Sequence, residues 1–138
     1  MLQTLEMERY GYPDVHRLVV DAYAAQHPGP GIDRRDRQSV FVHLASIHQV
    51  LEQGRTSAEA GDLLKRLTQG RPEFPLLQRL NAGALDLRHA WEAVDFGDYE
   101  RRVREWAGAV WASYEPSHDV IRRATEAAYA GGSGSSGI

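Results

Sequence analysis

Apolar side chains recur every three or four positions through most of the chain, which is the spacing of one face of an α-helix. The clearest segment begins between Asp33 and Asp36, where Val40, Leu44 and Ile47 form one stripe. The pattern predicts helices over residues 13–26, 33–53, 56–70, 86–94, 98–113 and 117–129.

Helix-ending and helix-starting residues support these boundaries. Pro13 suits a first helical turn, and the Pro/Gly segment 28–31 stops the first helix. Thr56 followed by Glu59 is the pattern of a capping box, and Gly70 is typical of a helix C-terminus. The boundaries therefore predict short connections between most of the helices.

No segment alternates apolar and polar residues as a half-buried strand does, and no hairpin turn separates apolar runs. We therefore expect an all-α fold, a compact bundle of four to six helices. Residues 1–130 are predicted to form a single domain. The Gly/Ser composition of residues 131–138 is that of a flexible tail, either a remnant of cloning or a native end.

Composition narrows the classes of function. An apolar share of 42% and a charged share of 25% are typical of a folded globular protein. The net charge is −3 and the arginines are mixed with acidic residues, so we expect no nucleic-acid partner. The absence of cysteine excludes disulfides, thiolate metal sites and cysteine nucleophiles. Residues 1–12 lack the pattern of a signal peptide, and we expect a cytoplasmic protein with no membrane partner.

The chemical resource that stands out is a set of histidines. His43 and His48 fall on the apolar arc of the second helix and are predicted to face the interior or a cleft. Neither pair within one helix has good ligand spacing, so a metal site would have to join helices. If the first two helices form an antiparallel hairpin, His16 comes level with the stretch from His43 to His48, and His27 lies nearer the turn. The six are His16, His27, His43, His48, His89 and His118.

The other polar candidates are less distinctive. Asp21 is predicted to lie opposite the apolar stripe of the first helix as a solvated charge, unless a histidine of another helix pairs with it. Ser39 and Ser46 lie near the histidines of the second helix but do not define a catalytic triad. Buried histidines each bound to a local partner are the alternative to a shared site. Aromatic residues at helical spacing, such as Trp106 and Trp111, are predicted to fill the core.

Three segments resemble an uncharacterised bacterial family of small helical proteins, common among actinobacteria. They contain Asp-Ala-Tyr and Gln-His-Pro elements within residues 15–28, a Ser-Val-x-x-His-Leu element within 39–44, and a histidine at the end of 103–118. The resemblance singles out Asp21, His27, His43 and His118. Relatives also carry an N-terminal cysteine pair that looks metal-binding, which this chain lacks.

Three functions are compatible with these features. The first is a protein binding a divalent metal (zinc, nickel, copper or iron) through histidines on different helices. The second is a scaffold whose second and fourth helices pack against a partner or another copy. The third is a metal-free enzyme using His and Asp for acid-base chemistry on a small molecule. The sequence does not decide whether the chain is an enzyme. The metal-site candidates are His16, Asp21, His27, His43 and His118.

Overall fold

Six α-helices and no strand make up the described part of the chain. A computed structural model describes residues 12–30, 33–70 and 72–136, with the side chains of 13–30, 33–70 and 72–130. The predicted all-α class is confirmed. The helices are α1 (Tyr12–Gln26), α2 (Arg34–Leu51), α3 (Ser57–Thr68), α4 (Leu87–Trp91), α5 (Phe96–Ser113) and α6 (His118–Ser136), with a 3₁₀ turn at Glu115–Ser117.

Side-chain caps fix the helix starts. Asp33 accepts a hydrogen bond from the amide of Asp36 at 2.8 Å and begins α2. The predicted capping box of Thr56 and Glu59 is present in full at the start of α3. Each cap satisfies backbone donors that the first turn of a helix leaves unpaired.

Several predicted boundaries need correction. Helix α4 ends at Trp91, three residues before its predicted end, and α2 and α3 each end two residues early. Helix α5 begins at Phe96, two residues before the predicted start, because Asp95 accepts from the amide of Asp98 and caps it. Helix α6 continues to Ser136, beyond the predicted end near Tyr129. Glycine and serine lower helix propensity without removing a backbone donor as proline does, so composition alone does not end a helix. The prediction that residues 1–12 lack a signal peptide concerns residues that lie almost wholly outside the described ranges. Residues 137–138 of the predicted tail also lie outside them.

The core is formed by residues that all six helices contribute, and residues 44–50 of α2 are all buried, so the second half of this helix is enclosed on every side. Asp21 of α1 contacts His43 of α2, and Asp14 near the start of α1 contacts Ser57 just after α2. These contacts make α1 and α2 antiparallel, which is the arrangement considered for the first two helices from the sequence. The largest fully buried apolar side chains are Leu18, Leu44, Ile47, Leu63, Val103, Trp106, Val110, Tyr114 and Ile121.

The last residue of α1 joins three parts of the fold. The Gln26 amide group donates to the carbonyl oxygens of Ala82 at 2.9 Å and Leu85 at 2.6 Å. Its oxygen accepts from the indole nitrogen of Trp106 at 2.9 Å. The polar residue of the Gln-His-Pro element therefore holds the connection before α4 against α1 and α5.

Among the helices of the described residues, none is both long enough and apolar enough to span a membrane.

Candidate functional site

A carboxylate of α1 lies between two polar side chains of α2. Asp21 is 1% exposed, its Oδ1 is 2.8 Å from Nδ1 of His43, and its Oδ2 accepts from the hydroxyl of Ser46 at 2.5 Å. His43 and Ser46 are three residues apart, which places both on one face of α2. The antiparallel packing of α1 and α2 therefore builds a His–Asp–Ser cluster at their interface.

The buried carboxylate determines which histidine nitrogen carries the proton. An ionised carboxylate only accepts hydrogen bonds, so Nδ1 of His43 is the donor to Asp21. In the neutral ring this leaves the lone pair on Nε2, which has no hydrogen-bond partner among the described residues. The Ser46 hydroxyl is bound to Asp21, and this arrangement does not make it a nucleophile activated by His43.

The predicted solvated position of Asp21 is wrong. Three residues after Leu18, Asp21 is only about 60° from it around the helix axis, so it lies beside the apolar stripe and not opposite it. Both residues are buried. The alternative that the sequence left open, a pairing of Asp21 with a histidine of another helix, is the one observed, and the partner is His43.

The accessible side of His43 opens into a pocket of about 300 Å³. The His43 side chain is 23% exposed, and His16 lines the same pocket, so within the predicted stretch from His43 to His48 it is His43 that lies near His16. Ser57, the first residue of α3, also lines it. The full lining is Pro13, His16, Arg17, Val20, Asp21, His43 and Ser57.

The other predicted site residues do not join this pocket. His27 is exposed at the end of α1, its ring 4.5 Å from that of Tyr23. His118 lies on α6, where its Nε2 donates to the Trp111 carbonyl at 2.6 Å. Within the described ranges, no three or more histidines and carboxylates are grouped so as to hold a metal ion. The predicted metal centre that uses His27 and His118 with His43 therefore has no support from the geometry.

A second histidine cluster surrounds Trp111. Its ring is stacked on His118 at 3.9 Å between centroids and on His48 at 5.4 Å, so α2, α5 and α6 meet there. Nδ1 of His48 is 2.6 Å from Glu52, which also accepts from Arg122 at 2.9 Å. The cluster borders a pocket of about 350 Å³ to which His48, Glu52 and Arg122 contribute.

Burial and charge change the protonation of this cluster. Burial lowers the pKa of His48 below its usual value, although the hydrogen bond to Glu52 acts in the opposite direction. Burial alone would raise the pKa of Glu52, but hydrogen bonds from Arg122 and His48 together hold that pKa below its ordinary value. We therefore expect a neutral His48 beside an ionised Glu52 near neutral pH.

The comparisons with known proteins identify the family. Residues 1–115 match a family of unknown function, DUF5946. The chain belongs to this family. The match covers α1 to α5 and includes both clusters except for the residues of α6. Comparisons with curated proteins and with solved structures find no match.

Sequence reasoning selected Asp21, His43 and His16 and named Ser46 without pairing it with Asp21, but it missed Arg17. Ser46 follows His43 by one helical turn, and Arg17 precedes Asp21 by one turn. The one-turn spacing was the signal in the sequence that these residues share a helix face with His43 and Asp21. The spacing does not show which helix packs against each face, so the contacts between helices could be identified only from the fold.

Proposed function

We propose that this DUF5946 protein is an enzyme in which His43 is the general base toward a small molecule bound in the pocket between α1, α2 and α3. The observation that carries the proposal is the hydrogen bond between buried Asp21 and Nδ1 of His43 at 2.8 Å. It keeps the accepting lone pair on the nitrogen that Asp21 does not use.

In the proposed reaction, Nε2 of His43 takes a proton from the substrate or from a water molecule. The imidazolium formed is stabilised by the Asp21 carboxylate, as in other carboxylate–histidine pairs, and later returns the proton. Asp21 acts through His43 and is a positioning residue. Ser46 holds the second carboxylate oxygen and so fixes the plane of the carboxylate.

The pocket supports a small-molecule substrate. Its volume of about 300 Å³ is at the lower end of the range of ligand sites in proteins. Pro13 and Val20 supply apolar wall, while His16, Arg17 and Ser57 supply polar groups. A few polar groups converging in a mostly preformed cavity are typical of such sites.

The test is turnover of simple probes by the full chain: p-nitrophenyl acetate, p-nitrophenyl phosphate, and exchange of the methyl protons of pyruvate in D₂O. We expect at least one reaction to be accelerated and the rate to fall by roughly 10²- to 10⁴-fold in His43→Gln. His89→Gln is the matched control, because that ring is bound to Glu105 away from the pocket. Equal rates for wild type and His43→Gln, or no turnover of any probe, contradict the proposal.

Asp21→Asn tests the positioning role separately. Its amide no longer requires Nδ1–H, so ¹⁵N spectra of the His43 ring should change from one tautomer to a mixture while the fold is retained. The rate of probe turnover should fall in the same variant. An unchanged tautomer would mean that Asp21 has only a structural role.

The same experiments separate the proposal from metal binding by His16, Asp21 and His43, which line one pocket. If the catalysis needs no metal, we expect full activity after dialysis against EDTA. After incubation with zinc and removal of the excess, we expect less than one zinc ion per chain. Stoichiometric zinc that is lost in His43→Ala, together with activity that EDTA removes, would favour the metal centre.

The scaffold hypothesis has a different observation behind it. The apolar stripe of α2 is buried within this chain and does not offer a face to another copy. At α4, in contrast, Trp91 is 71% exposed. Light scattering of the wild type and Trp91→Ser tests association at α4: a strict monomer in both would count against it.

A further inference from the structure

One pocket residue has a charge that no carboxylate of the described residues neutralises. Arg17 of α1 lines the pocket beside Asp21 and His43, and no carboxylate among the described residues lies within ion-pair distance of its guanidinium. Its Nε atom is buried and has no hydrogen-bond partner there. A buried donor without a partner is costly, so it is rare unless a ligand or water completes it.

The two carboxylates nearest to Arg17 along α1 are bound elsewhere. Asp21, one turn later, has its oxygens occupied by His43 and Ser46. Asp14, one turn earlier, accepts from the backbone amide of Ser57 at 2.8 Å. The pairing that a helix normally offers to an arginine is therefore not made here.

The neighbouring helix leaves room for the guanidinium. A Cβ atom on Gly61 of α3 would lie 3.3 Å from Nη2 of Arg17, closer than ordinary van der Waals contact. The end of the Arg17 side chain thus lies against α3 where that helix has no side chain. Arg17 is half-buried at a helix–helix contact, unlike a mobile surface arginine.

We infer that Arg17 makes this pocket an oxyanion site, so that the ligand carries a carboxylate or a phosphate group. A guanidinium offers parallel N–H donors that match two oxygens of either group, and no neutral group uses them as well. The inference rests on the proposed function for the role of His43. With the anionic group held at Arg17, another part of the same small molecule faces the His43 ring.

The test is titration of the full chain with inorganic phosphate and, separately, with acetate at low ionic strength. The Arg17 Nε–Hε signal is followed in ¹H–¹⁵N spectra. We expect a saturable shift with at least one anion and an affinity at least about tenfold lower in Arg17→Gln, because hydrogen bonds to a charged group are lost. Arg17→Lys keeps the positive charge but loses the parallel N–H donors of the guanidinium, so it should bind the anion with intermediate affinity.

Arg35→Gln is the matched control, since Arg35 is exposed in the first turn of α2 and should leave the affinity unchanged. Saturation by phosphate alone or acetate alone assigns the group. Absence of a saturable shift with both, or equal affinity in folded wild type and Arg17→Gln, overturns the inference.

His43→Gln distinguishes this failure from failure of the proposed function. The variant should keep its affinity for the anion within about twofold, since Arg17 supplies the recognition. Anion binding without turnover of any probe would support the oxyanion site and contradict the proposed enzymatic function. Turnover without anion binding would support the enzymatic function and contradict the oxyanion site.

Discussion

At the scale of single residues, buried polar side chains give the fold its specific contacts. Asp21 and Gln26 lie on the buried side of α1, and both are satisfied by partners from elsewhere in the chain. Burying such groups is tolerable only because these hydrogen bonds replace those to water. Changes at these positions should therefore cost more than changes of equal size at the surface.

Gln26→Leu should lower the free energy of unfolding by about 3 kcal/mol, because the indole N–H of Trp106 and two carbonyl groups lose their partner. Chemical denaturation measures the change. Gln53→Leu, at an exposed position after α2, is the control and should change stability by less than about 0.5 kcal/mol. Equal effects of the two variants would contradict this role of Gln26.

Two helical glycines form a matched pair. Gly108→Ala in α5 adds a methyl group where nothing lies within 4 Å and should raise the free energy of unfolding by about 0.5–1 kcal/mol. Gly61→Ala has the same helix-propensity gain but crowds Nη2 of Arg17 at 3.3 Å. We expect a smaller gain for Gly61→Ala and a weaker affinity for the anion. Thermal unfolding with the anion titration compares them, and identical behaviour would refute the contact.

At the scale of elements, the start of α3 matters for both stability and the pocket. The capping box directs the chain from α2 into α3, and Ser57 immediately after it contacts Asp14 and lines the pocket. A local sequence signal therefore positions one wall of a site whose other walls come from α1 and α2.

Thr56→Ala should lower the free energy of unfolding by about 1 kcal/mol, because the amide of Glu59 loses its acceptor. Thr56→Ser keeps a hydroxyl group at the cap and should remain within a few tenths of a kcal/mol of the wild type. Denaturation curves of the three proteins measure the difference. Equal loss in the serine variant would show that the methyl group matters and the cap does not.

At the scale of the whole molecule, Trp111 joins α5 to α2 and α6 through the two histidine rings. Glu52 and Arg122 form an ion pair across the α2–α6 contact. Because these groups come from distant parts of the chain, their protonation is linked to global unfolding and not to the fraying of one helix.

Acidification from pH 7 to pH 5 should destabilise the protein through His48. The folded-state pKa of His48 lies below the ordinary 6.5. Below pH 6.5 the unfolded chain therefore binds more protons than the folded protein, and the free energy of unfolding decreases as the pH is lowered. The slope from one proton is at most about 1.4 kcal/mol per pH unit. Glu52 stays ionised in this window because its pKa is held below its ordinary value, and Arg122 and His118 are present in both proteins compared.

The difference in slope between wild type and His48→Gln isolates this contribution. We expect the variant to be less stable at pH 7, because stacking on Trp111 is lost, but to have a shallower decline toward pH 5. Denaturation at several pH values measures both. Parallel declines would mean that His48 titrates normally in the folded protein.

The sequence by itself determined the helices, the capping box and the all-α class, because hydrophobic periodicity and caps act over a few neighbouring residues. It also selected Asp21 and His43, but it misplaced Asp21 in solvent and grouped His27 and His118 with His43. Only the tertiary structure decided that Asp21 meets His43 and Ser46, that Arg17 lies against Gly61 with no carboxylate from the described part of the chain paired to it, and that Trp111 separates His48 from His118. These partners are far apart along the chain, and the packing of whole helices, not local spacing, sets which of them meet.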